Sequence, residues 1–145
     1  MKKQTTYLLL SFLFAFAACS KEDETKNVEQ QFIGTWQQVS VEISVNGGVW
    51  QDETDACDQQ ERVKIIDNND HGLSLYSNNP TECGALIYDG RWDIFDGGKR
   101  MTWNIDGIAN PIKKEVVEIN ATSMITIHDV NTTTPTEIRI TYTKL

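Results

Sequence analysis

The sequence predicts an all-β fold, a small antiparallel up-and-down β-barrel of about eight strands. Two observations lead to this prediction. Segments in which apolar and polar residues alternate recur at short spacing between residues 32 and 145, and turn-forming Gly, Asn and Asp residues separate them. No segment in that range has the apolar spacing of an amphipathic helix. A sandwich would also satisfy the pattern, but closure leaves no exposed sheet edge, so we expect a barrel.

The first predicted strand covers residues 32–45 and sets the pattern for the others. Its apolar residues share one parity: Val39, Val41, Ile43 and Val45. Side chains of one parity lie on one face of a strand, so we expect this face to line the interior. Trp36 has the opposite parity. Both can face inward only if a β-bulge falls near residues 37–38.

The remaining strands are predicted from the same alternation and from the turns between them. The segments are 62–66, 73–77, 84–95, 101–105, 113–119, 124–128 and 137–144. Asp96-Gly97-Gly98-Lys99 is the sharpest hairpin turn signal. The segment 113–119 alternates less cleanly than the others. A domain of this size suits a closed barrel whose interior holds side chains or one small ligand.

The first 18 residues read as a targeting signal and not as part of the fold. Lys2 and Lys3 precede an apolar run, residues 7–18, that is too short for a transmembrane helix. Phe16-Ala17-Ala18-Cys19 resembles a bacterial lipobox, with Phe16 where Leu is usual, and this resemblance implies that Cys19 is lipidated. The alternative is an ordinary secretory signal followed by a chance cysteine.

Residues 19–31 are predicted to be a disordered tether between the lipidated cysteine and a barrel domain at 32–145. The segment 20–27 is polar and charged and offers nothing apolar to bury. A Lys followed by acidic residues, from Lys21 to Glu24, resembles the export signal of Bacteroidetes lipoproteins. That resemblance implies an outer-membrane lipoprotein exposed on the cell surface, or otherwise facing the periplasm. A generic solvated spacer is the alternative.

The charge of the chain limits its partners. Without residues 1–18 the chain keeps 11 Lys and Arg against 21 Asp and Glu, a net charge of −10. This acidic balance argues against nucleic acid and against electrostatic docking on anionic lipid. Membrane attachment would therefore depend on acyl chains, several of which on one cysteine form a stable anchor. We expect a monomer.

Cys57 and Cys83 remain as a pair once Cys19 is assigned to the lipid anchor. An even pair in an exported, oxidising setting predicts a disulfide. A loop of about 25 residues closed in this way is stabilised by roughly 3 kcal/mol in chain-entropy models. A zinc site is the alternative, but neither His71 nor His128 has metal-ligand spacing to the cysteines.

Metal sites and catalysis find little support in the sequence, and we expect neither an enzyme nor a cofactor. Residues 67–72 begin like an EF-hand loop, but His71 and Asn78 stand at positions where that loop needs oxygen ligands, above all a bidentate Glu at the last. A hairpin turn explains them better. The acidic loop could gather around Ca²⁺ or simply face solvent: Asp52, Glu53, Asp55 and Asp58. No nucleophile, metalloprotease or phosphate-binding motif is present.

Gly34-Thr35-Trp36 resembles the lipocalin Gly-x-Trp signature, in which the Trp packs across the closed end of the barrel. The chain is more broadly similar to the lipocalin-like lipoproteins of Bacteroidetes, through its anchor, its cysteine pair and the segments 90–94 and 141–145. This resemblance implies a lipocalin-like barrel with a possible small apolar ligand.

The predicted interior set either fills a core or lines a ligand cavity. Its members are Trp36, Val41, Ile43, Leu75, Tyr88, Trp92, Met101, Trp103, Ile127 and Tyr142. A cavity would support a membrane-anchored protein that binds a small hydrophobic ligand. A filled barrel would support a surface interaction module whose loops contact a protein or a glycan. In that case Trp50, if exposed, is the best single candidate for a contact.

Overall fold

A computed structural model of the chain describes residues 21–66, 72–78, 85–130 and 133–145. The predicted signal peptide, the lipidation site Cys19 and the second cysteine of the predicted disulfide, Cys83, lie outside the described residues. The predicted turn at 67–72 also lies outside them, apart from Gly72. These predictions therefore stay predictions.

One helix and nine strands make up the described fold. They are α1 Lys21–Phe32, β1 Gly34–Val45, β2 Gln51–Asp52, β3 Arg62–Ile65, β4 Leu73–Asn78, β5 Ala85–Phe95, β6 Arg100–Ile105, β7 Ile112–Ile119, β8 Ser123–Val130 and β9 Thr136–Lys144. Single 3₁₀ turns at Asp58–Gln60 and Asp96–Gly98 precede β3 and β6.

The strands form a closed antiparallel barrel. Each strand from β3 to β9 pairs with its neighbour in sequence, β1 pairs with β3, and β1 also pairs with β9 to close the sheet. Eight strands therefore enclose the interior, while the two-residue β2 only extends the edge of β1 beside β3. This confirms the predicted all-β, antiparallel up-and-down barrel of eight strands.

A β-bulge in β1 turns both Trp36 and the later apolar residues inward. The pairing of β1 with β9 skips a residue between Gln38 and Ser40, which leaves Val39 unpaired and 38% exposed. Trp36 lies before the bulge and is fully buried. After it, Val41 pairs with Ile140, on the inward parity of β9. The bulge required by the sequence pattern is thus present, one residue later than expected.

Two residues of the first predicted strand do not face the interior as expected. Val39 is the extra residue of the bulge, and Val45 is 49% exposed at the end of β1. The alternation of the sequence cannot show which residue a bulge leaves unpaired, and this accounts for the error at Val39.

One end of the barrel is closed by a packed aromatic core. The Trp36 indole N–H donates to the Phe32 carbonyl at 2.7 Å, and the Phe32 and Trp92 rings lie 5.9 Å apart. The amine of Lys144 lies 4.9 Å from the centre of the Trp36 ring. A Cβ on Gly34, whose φ is +148°, would come within 2.4 Å of the Lys144 side chain, so glycine allows this close approach.

Helix α1 corrects the prediction of a disordered tether from Lys21 onward, while residues 19 and 20 lie outside the described residues. Val28 and Phe32 lie four residues apart on one face of the helix and pack against the closed end. Gly98 makes room for them, because a Cβ there would lie 2.6 Å from Val28. The Lys144 amine also meets the Gln31 carbonyl, near the helix C-terminus, at 3.4 Å. Two apolar contacts, together with the hydrogen bonds of Trp36 and Lys144 to the last carbonyls, hold the C-terminal part of this otherwise polar helix against the barrel.

Within the described part of the chain, no helix has the length and apolar character needed to span a membrane.

Candidate functional site

A cavity of about 320 Å³ opens at the end of the barrel opposite α1. Its wall is mainly apolar and aromatic, with a few polar side chains. The lining residues are Gln38, Glu61, Arg62, Val63, Leu75, Tyr88, Trp103, Ile105, Ile108, Ile112, Lys114, His128, Ile140 and Tyr142. The closed half of the barrel is packed with side chains, so the interior is neither wholly filled nor wholly empty.

The predicted interior set divides between the two halves of the barrel. Leu75, Tyr88, Trp103 and Tyr142 line the cavity. Trp36, Trp92 and Met101 are at most 1% exposed and belong to the core, not to the cavity. Val41 and Ile43 pair with inward residues of β9 but do not line the cavity. Ile127 has the outward parity of β8, because Met124 and Thr126 are the fully buried residues of that strand.

Lys114 is the unexpected member of the cavity wall. It lies on β7, opposite Met101 of β6, and its side chain is only 4% exposed. The amine lies 4.1 Å from the centre of the Trp103 ring and donates to the Tyr142 hydroxyl at 3.3 Å. Burial lowers the pKa of Lys114 to about 7, and the negative charge of Glu61 only partly opposes this effect.

Two further titratable groups on the cavity wall share this environment. Burial, with the nearby Lys114 charge as a second cause, lowers the pKa of His128 to about 4. The imidazole is therefore neutral at pH 7, and its Nδ1 is buried without a hydrogen-bond partner among the described residues. Burial, together with the charge of Glu61, raises the pKa of Tyr142 above its ordinary value. The Trp103 indole nitrogen is also buried without such a partner.

Sequence reasoning missed Lys114, His128 and Gln38 because it sorted the faces of each strand by apolar content. Lys114 on β7, His128 on β8 and Gln38 on β1 are polar residues that point inward. A prediction based on apolar residues alone therefore assigns them to the outer face. The one available signal was the weak alternation of 113–119, where adjacent Lys113 and Lys114 must lie on opposite faces of any strand.

A larger concavity, of about 700 Å³, lies on the outer wall of the barrel. Most of its lining side chains have the outward parity of β6 to β9, among them Thr102, Lys113, Glu115, Asp129 and Glu137. Charges of both signs are mixed along it and face solvent. Met101, Lys114 and His128 also reach it from the inward parity, but most of its wall faces solvent, so the interior cavity is the stronger candidate.

Trp50 is not the exposed contact that the interaction hypothesis requires. Its ring is half-buried, because the Arg139 guanidinium stacks on it at 4.0 Å from the ring centre. Arg139 also pairs with Glu42 at 3.3 Å. The indole is therefore already engaged by the outer wall of the barrel.

The carboxylates of Asp52 and Asp55 in the acidic loop accept hydrogen bonds from residues two or three positions further along the chain. Asp55 accepts hydrogen bonds from the backbone amides of Cys57 and Asp58, both at 2.7 Å. Asp52 accepts from the Thr54 amide and hydroxyl, and these hydrogen bonds lower the pKa of its carboxyl. Among the described residues, no three His, Cys, Asp or Glu side chains converge as metal ligands would.

Cys57 lies immediately before the 3₁₀ turn at the open end of the barrel. The strand residues that flank the segment containing Cys83, Asn78 and Ala85, form a cross-strand pair at that same end. Cys57 and the ends of β4 and β5 thus lie at the same end of the barrel, as the predicted disulfide requires. The pairing remains a prediction, since Cys83 lies outside the described residues.

No protein-family model matches the sequence, and no match was found among curated proteins. Among solved structures, the chain is similar to the bovine lipocalin allergen Bos d 2, with 16% identity and a TM-score of 0.47. The match covers 81% of this chain and 75% of the bovine chain. The assignment of the fold therefore rests on the strand pairing of this chain itself.

Proposed function

We propose that this protein binds one small, mostly apolar ligand in the cavity at the open end of its barrel. The observation that carries the proposal is the cavity itself, whose volume of about 320 Å³ falls within the range of ligand pockets. An interior filled to native density would leave no comparable space. The interaction-module hypothesis needs such a filled interior together with exposed loop aromatics, and Trp50 is half-buried under Arg139.

The distribution of side chains supports binding rather than catalysis. The apolar wall, with Leu75, Ile112 and Ile140, would bury the body of a ligand, and Tyr88 at the rim is 37% exposed. The neutral imidazole of His128 has no nucleophile as a hydrogen-bond partner among the described residues. A binding protein is therefore the function that this geometry favours.

Filling the cavity should abolish binding without unfolding the barrel. We expect phenylnaphthylamine, a neutral dye that fluoresces in apolar sites, to titrate wild-type protein to one saturable site. Ile140→Trp places an indole in the cavity and should weaken binding about tenfold or more. Thr141→Trp, on the neighbouring outward position of β9, is the matched control and should bind as wild type does. Equal affinity in both variants, or fluorescence that never saturates, would refute the proposal.

We also propose that Cys19 carries a lipid anchor that holds the protein at the outer membrane, exposed on the cell surface, as in the Bacteroidetes lipoproteins that the sequence resembles. The lipobox at residues 16–19 and the acidic segment that begins at Lys21 support this proposal. Helix α1 runs from Lys21 to Phe32 and ends at the closed end of the barrel. An anchor before α1 would thus leave the cavity mouth on the opposite side of the barrel.

Loss of the anchor should release the protein from membranes. Cys19→Ala is expected to move the protein from the membrane pellet to the soluble fraction, while Ser20→Ala, its neighbour, stays in the pellet. Digestion of intact cells by an added protease tests the orientation and should remove the wild-type protein if it lies on the surface. A Cys19→Ala protein that still sediments with membranes contradicts the lipid anchor. Protection from the protease contradicts only the surface location.

A further inference from the structure

The cavity contains a buried cation that forms no ion pair with a described residue, although Glu61 on the same cavity wall attracts it from a greater distance. Among the described residues, the two ion pairs are Arg100 with Asp96 and Arg139 with Glu42, and both lie on the outer wall. Lys114 belongs to neither. Its amine meets the face of Trp103 and the hydroxyl of Tyr142, both of them neutral groups. A charged amine in such a place is costly unless an anion pairs with it.

We propose that the ligand of this cavity is amphipathic and carries a carboxylate, which pairs with the Lys114 amine inside the barrel. This inference rests on the proposed ligand-binding function and adds the chemical class of the ligand to it. The carboxylate would contact the amine directly, as Glu61 does not, and the apolar chain would lie along Leu75, Ile112 and Ile140.

Other groups on the cavity wall favour the same chemistry. The indole N–H of Trp103 is a buried donor without a hydrogen-bond partner among the described residues, and the ring itself lies against Lys114. The Tyr142 hydroxyl lies 3.3 Å from the amine and can donate a hydrogen bond to an anion. Two neutral donors beside one ammonium suit a monoanion better than a phosphate dianion, which would bring a second charge into a dry site.

The charges that face Lys114 from the surrounding elements define the pH at which the pairing can be tested. His128 faces it from β8, Tyr142 from β9 and Glu61 from the loop before β3. At about pH 6 the lysine is charged, while His128 and Tyr142 are neutral, so Glu61 is the described residue that competes with the ligand for the ammonium. Carboxylate binding should weaken as the pH rises and the free lysine loses its proton.

The test compares two ligands that differ only in their head group. Octanoate and octanol are each titrated against bound phenylnaphthylamine, with wild-type protein and two variants. At about pH 6, wild-type protein should prefer octanoate to octanol by about tenfold or more, as expected for a partnered buried charge. Lys114→Met should lose this preference but still bind octanol. Lys113→Met, which removes the neighbouring outward lysine, should keep the preference.

The outcomes separate the two proposals. If octanol and the dye bind but octanoate has no advantage in the wild-type protein, the cavity binds ligands and the inference about carboxylates is wrong. A preference for octanoate that survives in Lys114→Met also overturns it, because the carboxylate would then pair elsewhere. If neither ligand nor the dye binds, the proposed function itself is wrong.

Discussion

Replacing Lys114 by methionine is expected to stabilise the unliganded protein, although it deletes two contacts seen in the structure. A pKa held near 7 instead of 10.5 means that burial disfavours the ammonium by on the order of 5 kcal/mol. Methionine has a similar length and no charge to bury. The lost cation–π contact with Trp103 offsets about 0.5–2 kcal/mol of the gain. The lost hydrogen bond to Tyr142 offsets about 0.5–1.5 kcal/mol more, and we therefore expect Lys114→Met to raise the free energy of unfolding by about 2–4 kcal/mol near pH 6.

The pH dependence of this gain has a definite sign. Below pH 7 both the folded and the unfolded chain carry a protonated Lys114, so the folded protein bears the whole penalty. Between pH 7 and 10.5 the unfolded chain binds a proton that the folded protein does not, and the stability of the wild-type protein rises with pH. The slope that one such group contributes cannot exceed about 1.4 kcal/mol per pH unit. The advantage of Lys114→Met should therefore shrink as the pH rises.

Urea denaturation at about pH 6, 7.5 and 9 measures this effect, since the free energy of unfolding is linear in denaturant. The low pKa of His128 acts in a lower pH range, and the raised pKa of Tyr142 acts above pH 10. Lys113→Met, an exposed neighbour on the same strand, should stay within about 0.5 kcal/mol of wild type at every pH. If Lys114→Met is less stable than wild type at pH 6, the prediction is wrong, and the amine must be hydrated or paired with an anion in solution.

Alternation and turn signals were sufficient to predict the barrel. The segments 101–105 and 137–144 became β6 and β9 almost residue for residue, because each has one apolar face and a turn at its end. The conflict in parity between Trp36 and Val41 even required a bulge, and the structure has one between Gln38 and Ser40. These features are local, so the sequence carries them directly.

The features that were missed depend on contacts between distant segments. Helix α1 is ordered by the docking of Val28 and Phe32 on the turn that contains Gly98, about 70 residues further along the chain. Lys114 is an ordinary polar residue in any local window, and only closure of the barrel between β1 and β9 turns it into a buried cation. The cavity also depends on several strands at once, because it is the space that the side chains of opposing strands leave empty. The sequence of a single strand therefore cannot predict it.

Trp36→Ala is expected to destabilise the protein strongly by emptying the core at the closed end of the barrel. The side chain is fully buried, and truncation of a buried Trp to Ala commonly costs about 3–5 kcal/mol. The Phe32 carbonyl would also lose the indole N–H that now donates to it at 2.7 Å. Since small proteins have only about 5–15 kcal/mol of stability in total, the loss is a large fraction of it, and the urea midpoint of the variant should fall markedly.

Trp36→Phe separates packing from the hydrogen bond. The phenyl ring keeps most of the buried area and a face for the Lys144 amine, but it has no donor for the Phe32 carbonyl. We expect a loss of about 1–3 kcal/mol, the usual result when a buried acceptor is left without its partner. Trp50→Ala is the control, because that ring lies on the outer wall under Arg139 and its removal should cost about 1 kcal/mol or less. Urea denaturation of the three variants gives these values.

Dye binding to Trp36→Phe also decides between the two roles that this residue can have. The sequence placed Trp36 among the ligand contacts, whereas the structure places it in the core at the closed end, away from the residues that line the cavity. Without urea, the folded Trp36→Phe variant should therefore bind phenylnaphthylamine as tightly as the wild-type protein does, although it is less stable. If affinity falls while the protein stays folded, then the cavity extends to the closed end when a ligand is bound. In that case the aromatic core is part of the binding site.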